Sequence, residues 1–316
     1  MKKIVFMGTP QFAVPILEGL INDGAYEVIA AVTQPDRKVG RKKTLTPPPV
    51  KQAAMAQGIQ VLQPEKLSSS KEQQQILDLK PDLIVTAAYG QYVPTVLLNA
   101  PEYRAVNVHA SLLPKYRGAA PIHYALINGD EKTGVTIMYM EKEMDAGDIL
   151  SQASLKITSE DTVGSLFDKL SLLGRDLLLD TLPALFDGRI KAQKQKEDEV
   201  TYAPMITPEQ EKINWNDSAE AVANKIRGMN PFPGAYSQLE GQRFKIWFAE
   251  PLALTTEVEP GTIIKLNRRE MWVQCGMNTA VSLMEVQPSG KPRMQINHYL
   301  QGAVNHLEEG AHFEEI

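Results

Sequence analysis

The sequence predicts an α/β protein: a doubly wound, largely parallel sheet in the N-terminal part, followed by a smaller, mainly β domain. Three observations predict it. Short apolar runs of strand length alternate with segments of helical periodicity as far as Phe186. A polar and charged stretch at residues 188–200 then interrupts the pattern. Beyond residue 205, short strands separated by Gly and Pro turns take over. The length of 316 residues agrees with two domains, because one core seldom fills so long a chain.

The elements follow in order. Residues 3–7 form a short apolar run, Gly8-Thr9-Pro10 is a turn, and Phe12, Ala13, Ile16, Leu17 and Leu20 recur at helical spacing, which reads as strand, turn and helix. Residues 28–32 are a second strand, rich in β-branched side chains. The basic stretch after it, ending in Pro47-Pro48-Pro49, reads as a loop before a helix that starts near Val50. Residues 83–86 and 105–109 are two further strands. Strands alternating with helices imply a Rossmann-like sheet, in which ligands bind at the carboxyl ends of the strands. Residues 133–140 and 149–157 add two more strands, and residues 162–186 have the period of a long helix that covers a sheet face. Residues 188–200 (GRIKAQKQKEDEV) are almost free of large apolar groups and read as a linker or solvated connector. A helical segment at 219–226 leads to Asn230-Pro231-Phe232-Pro233-Gly234, and strands at 244–248, 262–264, 271–273 and 280–283 have the spacing of a small barrel.

Composition bounds the function. Hydrophobic residues make up 43% and charged residues 22%, as in a globular chain able to bury a core. The one cysteine, Cys275, can neither form an internal disulfide nor make up a cysteine-based metal site, and it reads as a small buried hydrophobe in a reducing compartment. Only four apolar residues stand between Lys3 and Gly8, too few for a signal-peptide core or a membrane span, so the expectation is a cytoplasmic protein with no membrane partner. A net charge of -5 argues against a protein that simply coats nucleic acid. Residues 36–51 depart from that average: Arg37, Lys38, Arg41, Lys42, Lys43 and Lys51 face the single acid Asp36, a net +5 in sixteen residues.

Asn107 and His109 lie two apart at a strand end, so their side chains share one face about 7 Å apart along the chain. An amide beside an imidazole suits acyl transfer, with a donor for a developing oxyanion and a group that titrates near neutral pH. An Asn and a His bonded to backbone groups give the same spacing, and spacing alone leaves both readings open. Asp145 lies in Met144-Asp145-Ala146-Gly147-Asp148, where the glycine implies a tight turn; spacing does not say whether Asp145 or Asp148 faces a pocket. Gly8-Thr9-Pro10 lacks the second glycine of a dinucleotide fingerprint, and there is no phosphate-binding P-loop, zinc-protease motif or nucleophile elbow. His298, His306 and His312 are irregularly spaced in a polar tail and read as surface histidines rather than metal ligands.

The run Asn107-Val108-His109-Ala110-Ser111-Leu112-Leu113-Pro114-Lys115-Tyr116-Arg117-Gly118-Ala119-Ala120-Pro121, followed by Met144-Asp145-Ala146-Gly147-Asp148, resembles the signature of the formyltransferases that use 10-formyltetrahydrofolate. FMGTPQFA from Phe6, TQPDRKVGR from Thr33 and IRGMNPFPGAY from Ile226 resemble the branch of that family that formylates methionine on initiator tRNA, and the resemblance covers nearly the whole chain. It implies a catalytic trio of Asn107, His109 and Asp145, a folate-binding stretch of Ser111, Leu112, Leu113 and Pro114, and tRNA contacts from Arg37, Arg41, Lys42 and Lys43. It implies a catalytic domain at 1–188, a linker at 189–205 and an OB-like tRNA-binding domain at 206–316. The implied partners are 10-formyltetrahydrofolate as co-substrate and initiator methionyl-tRNA, with no metal and no obligate protein partner. Residues 205–316 hold ten Lys and Arg against fourteen Asp and Glu, so any RNA contact there must be a local patch. Three rivals remain: the same reaction on glycinamide ribonucleotide or a nucleotide-linked amino sugar, a silent RNA-binding protein on this scaffold, and a folate-dependent hydrolase.

Overall fold

Residues 4–7 are apolar without alternation, which requires a strand covered on both faces. In the computed structural model, which describes residues 1–40, 42–255, 257–303 and 307–314, they lie fully buried in β1 (Lys2–Gly8). The chain divides into two compact units. The first holds residues 1–121, 133–155 and 167–203; the second holds 122–132, 156–166 and 204–316.

Along the first part of the chain β1 is followed by α1 (Val14–Asn22), β2 (Tyr26–Val32), β3 (Arg37–Val39), β4 (Thr44–Thr46), α2 (Pro49–Ala56), β5 (Val61–Leu62), α3 (Lys71–Asp78), β6 (Leu83–Ala87), α4 (Thr95–Asn99) and β7 (Ala105–His109). Then come α5 (Pro121–Ile127), β8 (Lys132–Tyr139), β9 (Ile149–Lys156) and α6 (Val163–Phe186). The main sheet runs β5-β2-β1-β6-β7-β8-β9. β1 pairs in parallel with β2 and β6, β6 with β7, and β2 with β5, whereas β8 pairs antiparallel with β7. Strand order reverses between β1 and β6, so the crevice of this doubly wound sheet lies at the carboxyl ends of β1, β6 and β7. Gly174 lets α6 rest on β7, because a Cβ there would come within 2.8 Å of the Val108 side chain. No helix among the described residues is long and apolar enough to cross a membrane.

The basic stretch departs from its reading as a loop. β3 and β4 pair as an antiparallel hairpin, with Arg37 opposite Thr46 and Val39 opposite Thr44. Both faces are exposed, so no apolar alternation marks the strands in the sequence.

The second unit is an OB-like antiparallel sheet. It is built from β10 (Tyr236–Leu239), β11 (Gln242–Leu252), β12 (Ile263–Leu266), β13 (Met271–Cys275), β14 (Thr279–Pro288), β15 (Met294–Gln295) and β16 (Phe313–Glu314) in the order β12-β13-β14-β11-β10-β16, with β15 on β14. Register shifts between Ile246 and Ala249 bend β11, which curls the sheet. Helix α7 (Ala219–Arg227) begins where the Ser218 hydroxyl accepts the Ala221 N–H, and it buries Val222 and Ile226 in a core with Trp215, Phe244, Ile246 and Phe313. Cys275 is buried in that core, and burial pushes its thiol up to about 12. The described parts of the stretch that read as a polar tail, residues 294–303 and 307–314, carry structure instead. Helix α8 (Ile296–Ala303) and β16 bring Ile296, Leu300 and Phe313 into the core, too few apolar positions to stand out among polar neighbours. His298 is exposed, the His312 Nε2 donates to the Pro260 carbonyl at 2.8 Å, and His306 lies outside the described residues.

Candidate active site

Asn107 and His109 project from the last turn of the ladder on β7, where register places Thr86 and Met138 beside Asn107 and Thr136 beside His109. The Thr86 hydroxyl donates to the Asn107 Oδ1 at 2.7 Å. That bond fixes the amide: its oxygen is occupied on the β6 side and its NH2 is turned the other way, able to donate. His109 is 5% exposed, and its Nε2 lies 3.0 Å from the Tyr116 carbonyl. A carbonyl only accepts, so Nε2 carries the hydrogen and Nδ1 is left as the nitrogen that gains or loses a proton.

Nδ1 faces Asp145. The carboxylate Oδ2 stands 3.7 Å from it, an ion-pair separation rather than a hydrogen bond, and accepts the Gly118 N–H at 2.8 Å. Asp145 has φ 53°, in the left-handed region that few non-glycine residues occupy. Gly147 lets the turn close, since a Cβ there would sit 1.9 Å from the Tyr139 carbonyl oxygen. Asp148 stands just before β9 instead, where its carbonyl accepts from the Tyr139 N–H. The segment Tyr116-Arg117-Gly118 thus holds both partners, one through a carbonyl and the other through an amide.

Two family descriptions match this chain. The description Formyl transferase fits residues 1–182, and Formyl transferase, C-terminal domain fits residues 205–304. The chain belongs to the formyl transferase family. It is similar to a protein of Enterococcus faecalis named methionyl-tRNA formyltransferase, with 54% identity over 309 residues, 98% of each chain. Among solved structures it shares the fold of an N-formyltransferase from Helicobacter canadensis in complex with folinic acid and dTDP-3-aminofucose, at a TM-score of 0.68 and 18% identity, over 91% of this chain and all of that one. It also shares the fold of a variant of HypX from Aquifex aeolicus, at a TM-score of 0.65 and 17% identity over 98% of this chain; the chain spans 48% of the length of that protein.

In this formyl transferase the four residues after the strand are unequal. Ser111 is fully buried, its hydroxyl donating to the Lys115 carbonyl at 2.7 Å, and Leu113 is buried with its N–H on the Thr136 hydroxyl. Gln152 donates to the Leu113 carbonyl at 2.8 Å. Ser111 and Leu113 therefore shape the loop from within; Leu112 and Pro114 are half-buried, and the Leu112 side chain packs against Gly134.

The predicted cations sit apart from the trio. Arg37, Lys42 and Lys43 are exposed on the hairpin that follows β2, a strand three spacings, roughly 14 Å, from β7 in the sheet. Arg41 lies outside the described residues. Arg37 pairs with Glu65 at 3.1 Å, an exposed bridge that holds it weakly. Lys51 is spent at the hairpin base, where the Gln63 amide and the Lys51 ammonium hold the Asp36 carboxyl below the usual carboxylate range.

Sequence reasoning gave no role to three groups that the structure places here. Thr86 has no signal in the sequence beyond its strand. Arg117 stood inside the motif run, and Gln195 stood in the polar stretch read as a connector.

Proposed function

We infer that this chain transfers the formyl group of 10-formyltetrahydrofolate to the α-amino group of methionine on initiator methionyl-tRNA, and that it works in the cytoplasm. One observation carries the acceptor: likeness along both units to a protein named for that activity. The roles proposed for the parts are catalysis in residues 1–188, connection in 189–205 and tRNA contact in 206–316.

The geometry supports the chemistry. When bound, 10-formyltetrahydrofolate supplies an electrophilic formyl carbon. The donor set fits such a group, because it offers a neutral amide and an imidazole beside the apolar Leu112 and Pro114. The Asn107 NH2, held by Thr86, donates to the formyl oxygen as negative charge gathers there. The attacking amine needs no activated side chain, since an α-amino group titrates at about 8 and is partly neutral at cellular pH. His109 takes at Nδ1 the proton that the attacking amine loses and passes it to the folate nitrogen as the bond from that nitrogen to the formyl carbon breaks, so that tetrahydrofolate leaves neutral. Asp145 stabilises the imidazolium that forms: at this separation the attraction is about 4 kcal/mol at an effective dielectric of 20, comparable with the several kcal/mol that desolvating an ion costs. The Gly118 N–H tips that balance by bonding the carboxylate.

Purified protein, given a radiolabelled formyl donor, should label initiator methionyl-tRNA and leave elongator methionyl-tRNA and a dTDP-linked amino sugar unlabelled. Equal labelling of the elongator, or labelling of the small amine alone, would overturn the assignment.

The hairpin supports RNA contact because Lys38, Lys42 and Lys43 are exposed on it. Replacing Lys42 and Lys43 by alanine should raise the tRNA KM and reduce the slope of log affinity against log salt by about one per lost phosphate contact, with the folate KM unchanged. An unchanged slope would return the hairpin to a solvated charge run. In the second unit, Arg268, Arg269, Gln295, Asn297 and Gln301 border an open groove of about 540 Å³, the local patch that its acidic balance requires for a second contact.

A further inference from the structure

Residues 190–203 have the composition of a free connector, yet side-chain and backbone bonds dock them along the site. Gln193 and Ile149 exchange backbone hydrogen bonds of 2.8 Å in both directions. Two residues on, Gln195 turns its side chain inward and is 8% exposed. Its Nε2 donates to the carbonyls of Asp145 at 2.7 Å and Gly147 at 2.9 Å, and its Oε1 accepts from the Arg117 Nε at 3.0 Å. Arg117 is 1% exposed and spends the rest of its guanidinium on Glu197, 2.9 Å away. A guanidinium only donates and a carbonyl only accepts, so both ends dictate the amide orientation. A carboxamide of this length satisfies all three neighbours; a carboxylate satisfies only the arginine.

Further along, the Thr201 hydroxyl and carbonyl accept the N–H groups of Tyr116 and Arg117, each at 2.9 Å, and the Ala203 N–H donates to the Arg117 carbonyl at 2.8 Å. The strap therefore grips the Tyr116-Arg117-Gly118 segment that carries the bonds to His109 and Asp145. At its other end it grips a turn that is otherwise exposed from Glu141 to Met144 and that places Asp145 in a conformation unfavourable for a side chain.

We propose that Gln195, seated by the buried Arg117, is a positioning residue for formyl transfer: it locks the Asp145 turn so that the carboxylate faces the Nδ1 of His109. The proposal rests on the role given to Asp145 above. Gln195→Glu keeps the length and the bond to Arg117 but aims an oxygen at two carbonyl oxygens. Its kcat should fall about 10- to 100-fold, with both KM values within about twofold. Arg117→Lys keeps the charge but loses the Nε donor, and should show a smaller loss of the same kind. Asp145→Asn sets the reference: added to it, Gln195→Glu should cost no more than about a further twofold, because both act through one carboxylate. A Gln195→Glu rate within about twofold of the parent, or losses from Gln195→Glu and Asp145→Asn that multiply, would overturn the positioning role. If Gln195→Glu does not fold, the Arg117→Lys and Asp145→Asn pair decides on the same criterion. Native turnover by Asp145→Asn alone would instead sink the reading of Asp145, so the two failures are distinguishable.

Discussion

Asn107→Ala should lower kcat by about 10²- to 10³-fold while leaving the KM for tRNA and for the formyl donor nearly unchanged. The reason is geometric. The Thr86 hydroxyl holds the amide oxygen, so the NH2 is aimed before substrate arrives, and a donor fixed in advance costs no reorganisation when charge develops. The side chain is half-buried at the middle of β7 and takes no part in backbone pairing, so thermal unfolding should move by no more than a few degrees. Steady-state assays with labelled formyl donor, beside a melting curve, test both halves. A kcat within about threefold of the parent would remove Asn107 from the chemistry.

His109→Ala carries the second large effect. Removing a positioned acid–base group should cost about 10²- to 10⁴-fold in kcat, with both KM values nearly unchanged. Here the stability cost is larger than at Asn107. The Tyr116 carbonyl loses its partner within a buried site, which costs about 1–3 kcal/mol, a melting shift of several degrees. The two readouts separate a chemical role from a structural one: a variant that melts lower yet keeps its kcat would mean that another group handles the proton.

Legibility followed the kind of force that holds each part. The strands β1 and β6 hold apolar runs buried on both faces, β7 carries Ala105, Val106 and Val108 between its polar residues, and the bounds read for all three lie within a residue of those observed. The long helix α6 was visible from its 3.6-residue period, because one face covers the sheet. The hairpin β3–β4 was not visible, since both of its faces meet water. Nor was the fold of the last segment, where Ile296, Leu300, Leu307 and Phe313 carry the burial among polar neighbours.

By itself the sequence determined the α/β class with its OB-like companion, the family through the Asn-Val-His run and the Met-Asp-Ala-Gly-Asp turn, and the placement of Asn107 and His109 on one strand, β7. Hydrophobic burial is periodic, and a periodic demand writes itself into neighbouring residues. Tertiary structure alone decided that the Asp145 carboxylate, fixed by the Gly118 N–H, turns toward His109, and that a charged connector is a strap docked beside the trio. Those decisions rest on single hydrogen bonds between residues 27, 50 and 78 positions apart. One donor and one acceptor at such separations satisfy each other without leaving any period in the chain, so only the folded geometry brings them together.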